Sequence, residues 1–367
     1  MVMQNDYLKC DILIIGGGPA GLSAASFLSK KGYSLIIVEK DTIFGSKKTK
    51  YEITEGKKIS KIISEIGIKP NKKSSKIEWE SQNIDYIHNS DIVHFYFKRG
   101  PDEDSIEKTL LKKIGENVRI FSKSTVDNIN NTCHLSFVKI STPEGKKTIA
   151  PRFIIISDGS ESEWRRNMDI KTQIFNKYYG LGVVVETNEK NMIPHLKVCF
   201  DENITTKGYL YSGSVNNDTF YCIVEEDKFT SGENLKKKLA LIIKKNIVCD
   251  YKIKNCYSEI GSSGIQETIK NNIFFIGGAA NFFDPLIIHG LNHAIESAYY
   301  VAKAIESDNL DIYKEYTKEV QDSIKIMYHL GEKWRKSENS FFNNLIQSIS
   351  EVYNKKTEKI KNIVNIS

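Results

Sequence analysis

Residues 11 to 21 constrain this chain more than any other stretch. Asp11 to Ile15 is a nearly continuous apolar run that opens directly onto Gly16-Gly17-Gly18-Pro19-Ala20-Gly21. Such a run predicts a strand buried on both faces of a parallel sheet. Gly16 permits a tight turn, Gly18 lets the backbone approach a pyrophosphate, and Gly21 lets the next helix pack closely. The spacing predicts that helix over Pro19 to Lys31, stopped by Gly32. Its first N–H groups and its dipole favour phosphate. Ser34 to Glu39 reads as the second strand, and Glu39 stands 18 residues after Gly21. A carboxylate there accepts ribose hydroxyl hydrogens and repels a 2′-phosphate.

Two further segments have the same character. Ile154 to Ile156 is an apolar strand running into Ser157-Asp158-Gly159, with Ser160 and Arg165-Arg166 behind it. Ile273 to Ile276 runs into Gly277-Gly278-Ala279-Ala280, then Pro285, then Gly290-Leu291-Asn292 at the start of a helix to Ile305. Small residues after a strand let backbone approach a ligand. Between these segments the pattern turns to β. Tyr178–Glu186, Leu196–Phe200, Gly208–Val215 and Thr219–Val224 read as an antiparallel sheet, with Asn216-Asn217-Asp218 a hairpin turn. Asn128 to Asn131 and Pro143 to Gly145 read as turns.

The predicted fold class is therefore α/β: a Rossmann-like nucleotide-binding domain with an inserted antiparallel β-sheet cap and a C-terminal helical segment. The expected division is residues 1–75, 99–177 and 261–310 for the discontinuous nucleotide domain. Residues 76–98 and 178–260 form the cap, and 311–367 the helical segment.

At 367 residues the chain is long enough for this arrangement. Lys and Arg number 52 against 46 Asp and Glu, a surplus too mild for a nucleic-acid footprint. The six cysteines are scattered, which points to reduced thiols in a cytoplasmic protein and away from an iron–sulfur cluster. No apolar window is long enough to span a membrane. His289 and His293 stand at i, i+4 but have no third ligand in sequence, so no metal is expected. Phe342, Leu345, Ile346, Ile349, Val352 and Tyr353 share one face of a helix, followed by Lys355, Lys356, Lys359 and Lys361. That helix either packs on the nucleotide domain or makes a peripheral membrane contact.

In combination and order, the three glycine motifs resemble the FAD-binding sites of flavoproteins with the p-hydroxybenzoate hydroxylase fold. Within that group the first 310 residues look most like the geranylgeranyl reductase family, particularly its archaeal lipid-reducing members. The resemblance implies non-covalent FAD. Gly16, Gly18, Pro19, Ala20 and Gly21 would meet the pyrophosphate, and Glu39 the adenosine ribose, with Lys40 beside it. Arg99 would approach the phosphates or flavin, and Val126 would touch adenine through its backbone. Asp158, Gly159, Gly278, Ala279 and Pro285 would complete the site, with Gly290, Leu291 and Asn292 facing the isoalloxazine. Three departures stand out. The family's Asp in the third motif is Gly278 here, so Gly278→Asp is expected to tighten FAD binding. The early Cys-Gly is missing from Lys47 to Gly56. The G-Y-x-W-x-F-P strand keeps Gly208, Tyr209 and Tyr211 but loses Phe-Pro.

The implied activity is reduction of carbon–carbon double bonds in an isoprenoid chain. Tyr209, Tyr211 and His289 are the candidate proton donors. The partners would be an isoprenoid or lipid substrate and a redox donor, NAD(P)H or ferredoxin, for a monomer that binds no nucleic acid. A flavin monooxygenase, an electron-transferring flavoprotein dehydrogenase and a non-enzymatic flavin scaffold are the alternatives. Aromatic density in the cap, with Trp79, Tyr86, Phe95, Phe97, Tyr209, Tyr211, Phe220 and Tyr221, predicts the roof of an elongated apolar cavity.

Overall fold

The computed structural model describes residues 7–45, 47–81, 84–131, 136–201, 203–227, 231–247, 249–286 and 289–334. The helical face at Phe342 to Tyr353 and the lysines after it lie outside the described residues, as do Cys133 and the Tyr86 side chain.

The chain opens as its first motif dictates. Strand β1 (Leu8–Ile15) feeds helix α1 (Pro19–Ser29), which feeds β2 (Leu35–Val38). Every residue of α1 is buried. That explains its Ala, Ser and Gly content, since a helix covered on all sides needs small residues for close approach. Strand β3 (Lys50–Glu55) follows, then α2 (Lys57–Ile66), β4 (Lys72–Ser81), β5 (Ile84–Arg99) and α3 (Ile106–Leu111). The meander β6 (Val118–Phe121), β7 (Thr125–Asn131), β8 (Ser136–Thr142), β9 (Gly145–Ile156) leads to the short α4 (Glu163–Asn167). Next come β10 (Thr172–Thr187), β11 (Leu196–Phe200), β12 (Gly208–Val215), β13 (Asp218–Glu226) and α5 (Gly232–Asn246). The chain returns through β14 (Tyr251–Gln266), β15 (Ile269–Lys270), β16 (Ile273–Phe275), α6 (Leu291–Glu306) and α7 (Asp311–Trp334).

Among the described residues these strands make two sheets. The first has β6, β2, β1, β9 and β16 in parallel, with β15 at one edge and the β7–β8 arm leaving β9. Its apolar strands and α1, α6 and α7 share one large core. The second sheet runs β14-β10-β13-β12-β11-β4-β5-β3. Its hairpin at Asn216 is as expected, with Asn216 at φ +56°.

Three features depart from the sequence reading. Asn128 to Asn131 do not turn; they continue β7 as a mostly solvent-facing edge strand, and a bulge between Val126 and Asn128 breaks the two-residue period. The second sheet is not wholly antiparallel, because β11 pairs β4 in parallel. Strand β3 comes from the polar loop after β2, yet pairs β5 in the second sheet.

The second sheet also curls until its outermost strands meet. Lys48 Nζ donates to Cys256 O at 2.8 Å and Asn255 Nδ2 to Thr49 O at 3.2 Å, while Lys50 Nζ reaches Glu259 at 2.8 Å. A sheet curled this far has a concave interior that side chains must fill. Tyr51, Tyr96, Tyr178, Tyr209, Phe220, Tyr257 and Trp79 fill it.

Candidate active site

A cleft of about 1000 Å³ runs between the first sheet and the lip of the second. Its floor is built from the three strand ends anticipated above. Gly16 sits at φ +104°, and a Cβ there would meet the Ser157 carbonyl oxygen, so only glycine fits. Gly21 meets Gly16 O in the same way and seats α1 against the turn. Gly18 differs: a Cβ there would touch no protein atom and would project into open space. That space lies at the N-terminus of α1, whose first N–H groups have no intrahelical partner.

Glu39 closes this end. It accepts from Gly17 N at 2.5 Å and from Asp41 N at 2.9 Å, which fixes its carboxylate beside the glycine turn. Lys40, Asp41, Lys47 and Ser124 to Val126 continue the wall. Across the floor, Asp158 accepts from Glu163 N at 3.2 Å, and its Oδ1 is buried without a partner in the protein. Burial raises its pKa above the usual carboxylate value, although the hydroxyl of Ser162 and nearby backbone N–H groups oppose the shift. An orphaned oxygen in an otherwise satisfied turn is what a ligand hydroxyl would complete.

The third motif is braced from behind. Asn281, at φ +56°, is fully buried. Its Oδ1 accepts from Arg165 Nη1 at 2.6 Å and Ser262 Oγ at 2.7 Å, and its Nδ2 donates to Gln266 Oε1 at 2.7 Å. Arg165 Nη2 also donates to Ser160 O at 2.9 Å, tying the second motif to the third. Gly278 has no room for the family's carboxylate. A Cβ there would lie 2.9 Å from Ser160 N and Oγ and 3.1 Å from Gly159 C. The geometry argues against the expectation that Gly278→Asp tightens cofactor binding: the backbone at Ser160, held by Arg165 and Ser262, would have to shift.

The structure brings most of the sequence-derived residues together. Gly16, Gly18, Pro19, Ala20, Glu39, Lys40, Arg99, Val126, Asp158, Gly159, Gly278, His289, Gly290, Leu291 and Tyr211 line the cleft. Gly21, Ala279, Pro285 and Asn292 stand outside its lining. Pro285 instead offers its carbonyl to Tyr178 Oη at 2.6 Å. Asn292 clasps β3, accepting from Glu55 N at 3.2 Å and donating to Glu55 O at 3.3 Å. Tyr209 is buried in the interior of the second sheet, away from the cleft.

Among the described residues the expected aromatic roof does not form over the cleft. Trp79, Tyr209 and Phe220 fill the curled sheet, Phe95 and Phe97 join the first core, and Tyr221 packs under α5. Of the described rings in that set, Tyr211 alone reaches the cleft. The facing wall is instead charged. Arg99 donates to Glu52 at 2.6 Å and Glu107 at 2.5 Å, and Lys50 bridges Glu52 at 2.6 Å and Glu259 at 2.8 Å. Burial alone would raise the Glu52 carboxyl, but Arg99 and Lys50 outweigh it and hold it at about 2. Two cations thus face three carboxylates, and Arg99 is already engaged by protein. Sequence reasoning missed Lys50, Glu52 and Glu259; the first two share a face of β3, and Glu259 joins them because the sheet closes. Apolar lining returns beside them at Ile53, Ile260, Phe282 and Phe283.

Among the described residues no group of three His, Cys, Asp or Glu could hold a metal. His293 is half-buried on α6; burial and the nearby Lys58 push its pKa down to about 4, so it is neutral at physiological pH.

The paired sheets and the glycine floor define the fold, that of p-hydroxybenzoate hydroxylase. Two solved structures share it. A geranylgeranyl bacteriochlorophyll reductase-like protein from Thermoplasma acidophilum superposes with a TM-score of 0.78 at 18% identity, covering 98% of this chain and 96% of that one. A p-nitrophenol 4-monooxygenase from Pseudomonas putida gives 0.70 at 14% identity, covering 98% and 97%. Within that fold, the chain belongs to the lycopene cyclase protein family, which matches residues 11–360. It is also 23% identical to digeranylgeranylglycerophospholipid reductase 1 of Methanococcoides burtonii, over 94% of this chain and 83% of that protein. The resemblance drawn from the glycine motifs is thereby borne out.

Proposed function

We propose that this protein reduces carbon–carbon double bonds of an isoprenoid chain carried by a lipid or its precursor, with non-covalent FAD. The observation that carries this reading is the match to a digeranylgeranylglycerophospholipid reductase over 94% of the chain. The cleft supports the cofactor: open space at Gly18, the fixed Glu39 carboxylate and the orphaned Asp158 oxygen suit a pyrophosphate, a ribose and a hydroxylated linker. FAD, when bound, would supply the hydride chemistry.

In this reading Gly16, Gly18, Pro19 and Ala20 hold the pyrophosphate and Glu39 the adenosine ribose. Val126 borders adenine, and Gly290 and Leu291 border the reactive ring. The protein must also supply a proton. Tyr211 and His289 reach the cleft, whereas Tyr209 does not. Burial raises the Tyr211 phenol well above its ordinary pKa, which keeps its hydroxyl protonated but makes it a weaker acid. The division into a cofactor domain, a cap and a C-terminal helical segment belongs to the same proposal, with β3 assigned to the cap by its pairing.

A second reading, an oxygenase acting on a compact polar substrate, is favoured by the charged wall of Lys50, Glu52, Arg99 and Glu259. One experiment separates the two. Reduced protein is mixed anaerobically with a geranylgeranyl lipid, and separately supplied with NAD(P)H, oxygen and a simple phenol. A mass gain of two hydrogens per double bond supports the reductase. Oxygen insertion into the phenol with the lipid untouched overturns it.

A further inference from the structure

The outer face of the second sheet carries a surface that the cofactor cleft does not explain. Helix α5 buries Leu235, Leu239, Ile242 and Ile243 against that sheet. Its opposite side holds Leu241, 68% exposed. Lys237, Lys238, Lys244 and Lys245 stand at i−4, i−3, i+3 and i+4 from it, the positions adjacent to it on a helix surface. With Lys236 the helix carries five lysines against one acidic residue, Glu233.

The apolar surface continues onto strand β14, an edge of the sheet. Tyr251 is 43% exposed, Ile253 53% and Ile260 47%. Each pairs directly with a residue of β10: Tyr251 with Thr187, Ile253 with Val185 and Ile260 with Tyr179. Directly opposed residues share a face. Val185 and Tyr179 belong to the cluster under α5, so Ile253 and Ile260 emerge beside that helix. Ile260 also lines the cleft. Ile253 and Ile260 therefore stand about 23 Å apart on one face of β14, with exposed Cys256 and Ser258 between them and Ile260 at the mouth of the cleft.

We propose that this face, α5 with the outer side of β14, docks on an anionic lipid bilayer and presents the cleft mouth at Ile260 to substrate in that bilayer. Charge complementarity selects the occupant. A ring of lysines around a single exposed leucine suits a negative headgroup layer with a shallow apolar insertion. It suits neither a second copy of this basic face nor a deep hydrophobic partner. Continuity with the cleft gives the docking its purpose, because an isoprenoid lipid need not cross water. The purpose rests on the reductase reading proposed above; the docking does not.

The test is co-sedimentation of the full flavin-loaded chain with phosphatidylcholine vesicles, with and without phosphatidylglycerol. Binding is expected only with phosphatidylglycerol, and high salt should release it. Lys237→Gln with Lys244→Gln and Lys245→Gln should weaken binding roughly a hundredfold, at about fivefold per lysine. Leu241→Ser should weaken it several-fold without changing its salt dependence. Flavin content and thermal midpoint confirm that both variants fold. The proposal is overturned if the parent ignores anionic vesicles, or if the triple variant binds as the parent does. It is equally overturned if neutralising Lys355, Lys356, Lys359 and Lys361 abolishes binding instead, or if Leu241→Ser dissolves a dimer present without vesicles. Reduction of a detergent-dispersed isoprenoid needs no bilayer. A chain that reduces it but ignores vesicles overturns the docking alone. One that binds vesicles through α5 but reduces nothing supports the docking and overturns the reductase reading.

Discussion

The two sheets solve the same problem in opposite ways. The first buries apolar strands between helices and keeps its strand ends bare, so glycines and the Glu39 and Asp158 carboxylates face the cleft. The second has little helical cover on its concave side and fills that hollow with its own rings. The first is thus a platform that leaves open ground at Gly18 and Gly159, where a Cβ would meet no protein atom, while Gly16, Gly21 and Gly278 let its own turns pack. The second is a packed body whose glycines make room for protein: a Cβ at Gly182 would strike the Tyr257 ring, and one at Gly213 would lie 2.8 Å from Phe220. Identical residue types do different work in the two halves.

The largest test of this contrast is Gly18→Val. The side chain would meet no protein atom, so the fold should survive while flavin binding is abolished. Circular dichroism with flavin absorbance after gel filtration checks it; full flavin content in the variant would move the site elsewhere. Phe220→Ala is the mirror experiment. Phe220 is fully buried and packs with Tyr51, Tyr96 and Tyr211. Its loss should cost about 3–5 kcal/mol of stability with flavin content retained below the lowered thermal midpoint. A variant with unchanged stability but altered substrate affinity would restore the aromatic roof.

The boundary between cofactor platform and helical cover can be probed by pH. Glu296 on α6 is buried, which pushes its pKa from 4.5 up to about 7, with Lys58 at 3.9 Å only partly offsetting. Between those values the folded state holds more protons than the unfolded chain, so stability should fall as pH rises through this window. Glu296→Gln should remove up to about 3 kcal/mol of that fall, read as thermal midpoints against pH. His293 acts oppositely: its pKa is 6.5 unfolded and about 4 folded, so its contribution is lost as pH falls between them. The smallest expected effect is Gly278→Asp. Crowding against Ser160 should weaken flavin binding by about 1–3 kcal/mol, measured as the flavin dissociation constant. Tighter binding would show that the floor yields after all.

The same contrast governs what could be read in advance. The first sheet was legible because strand, glycine turn and helix are contiguous, and each motif needs only its own dozen residues. The hairpin at Asn216 was legible for the same reason. Strand β3 was not, because Lys50 to Glu55 is polar at every second residue toward the cleft and gains its strand identity from β5. The charged wall was least legible: Lys50 and Glu259 meet through closure of a sheet whose end strands are some 200 residues apart in sequence. The aromatics were visible but not their direction. Alternation shows that rings share a face, and only the curl decides whether that face encloses protein or ligand.

Strand β1 lies between β2 and β9, and α1 packs with α6 into one core. On the ribosome this order matters. The glycine turn is synthesised almost at once, but β9 arrives after some 130 further residues and α6 only near residue 300. Until then β1 and α1 lack the cover of β9 and α6, and contacts of such sequence separation form slowly. The nascent chain therefore carries an apolar, aggregation-prone segment through most of its translation. The cleft cannot hold a ligand early, because its floor is incomplete until Gly290 has been made. On the proposed FAD reading, cofactor capture is a late event in biogenesis, and holo-protein yield in cells should follow chaperone supply more closely than flavin supply.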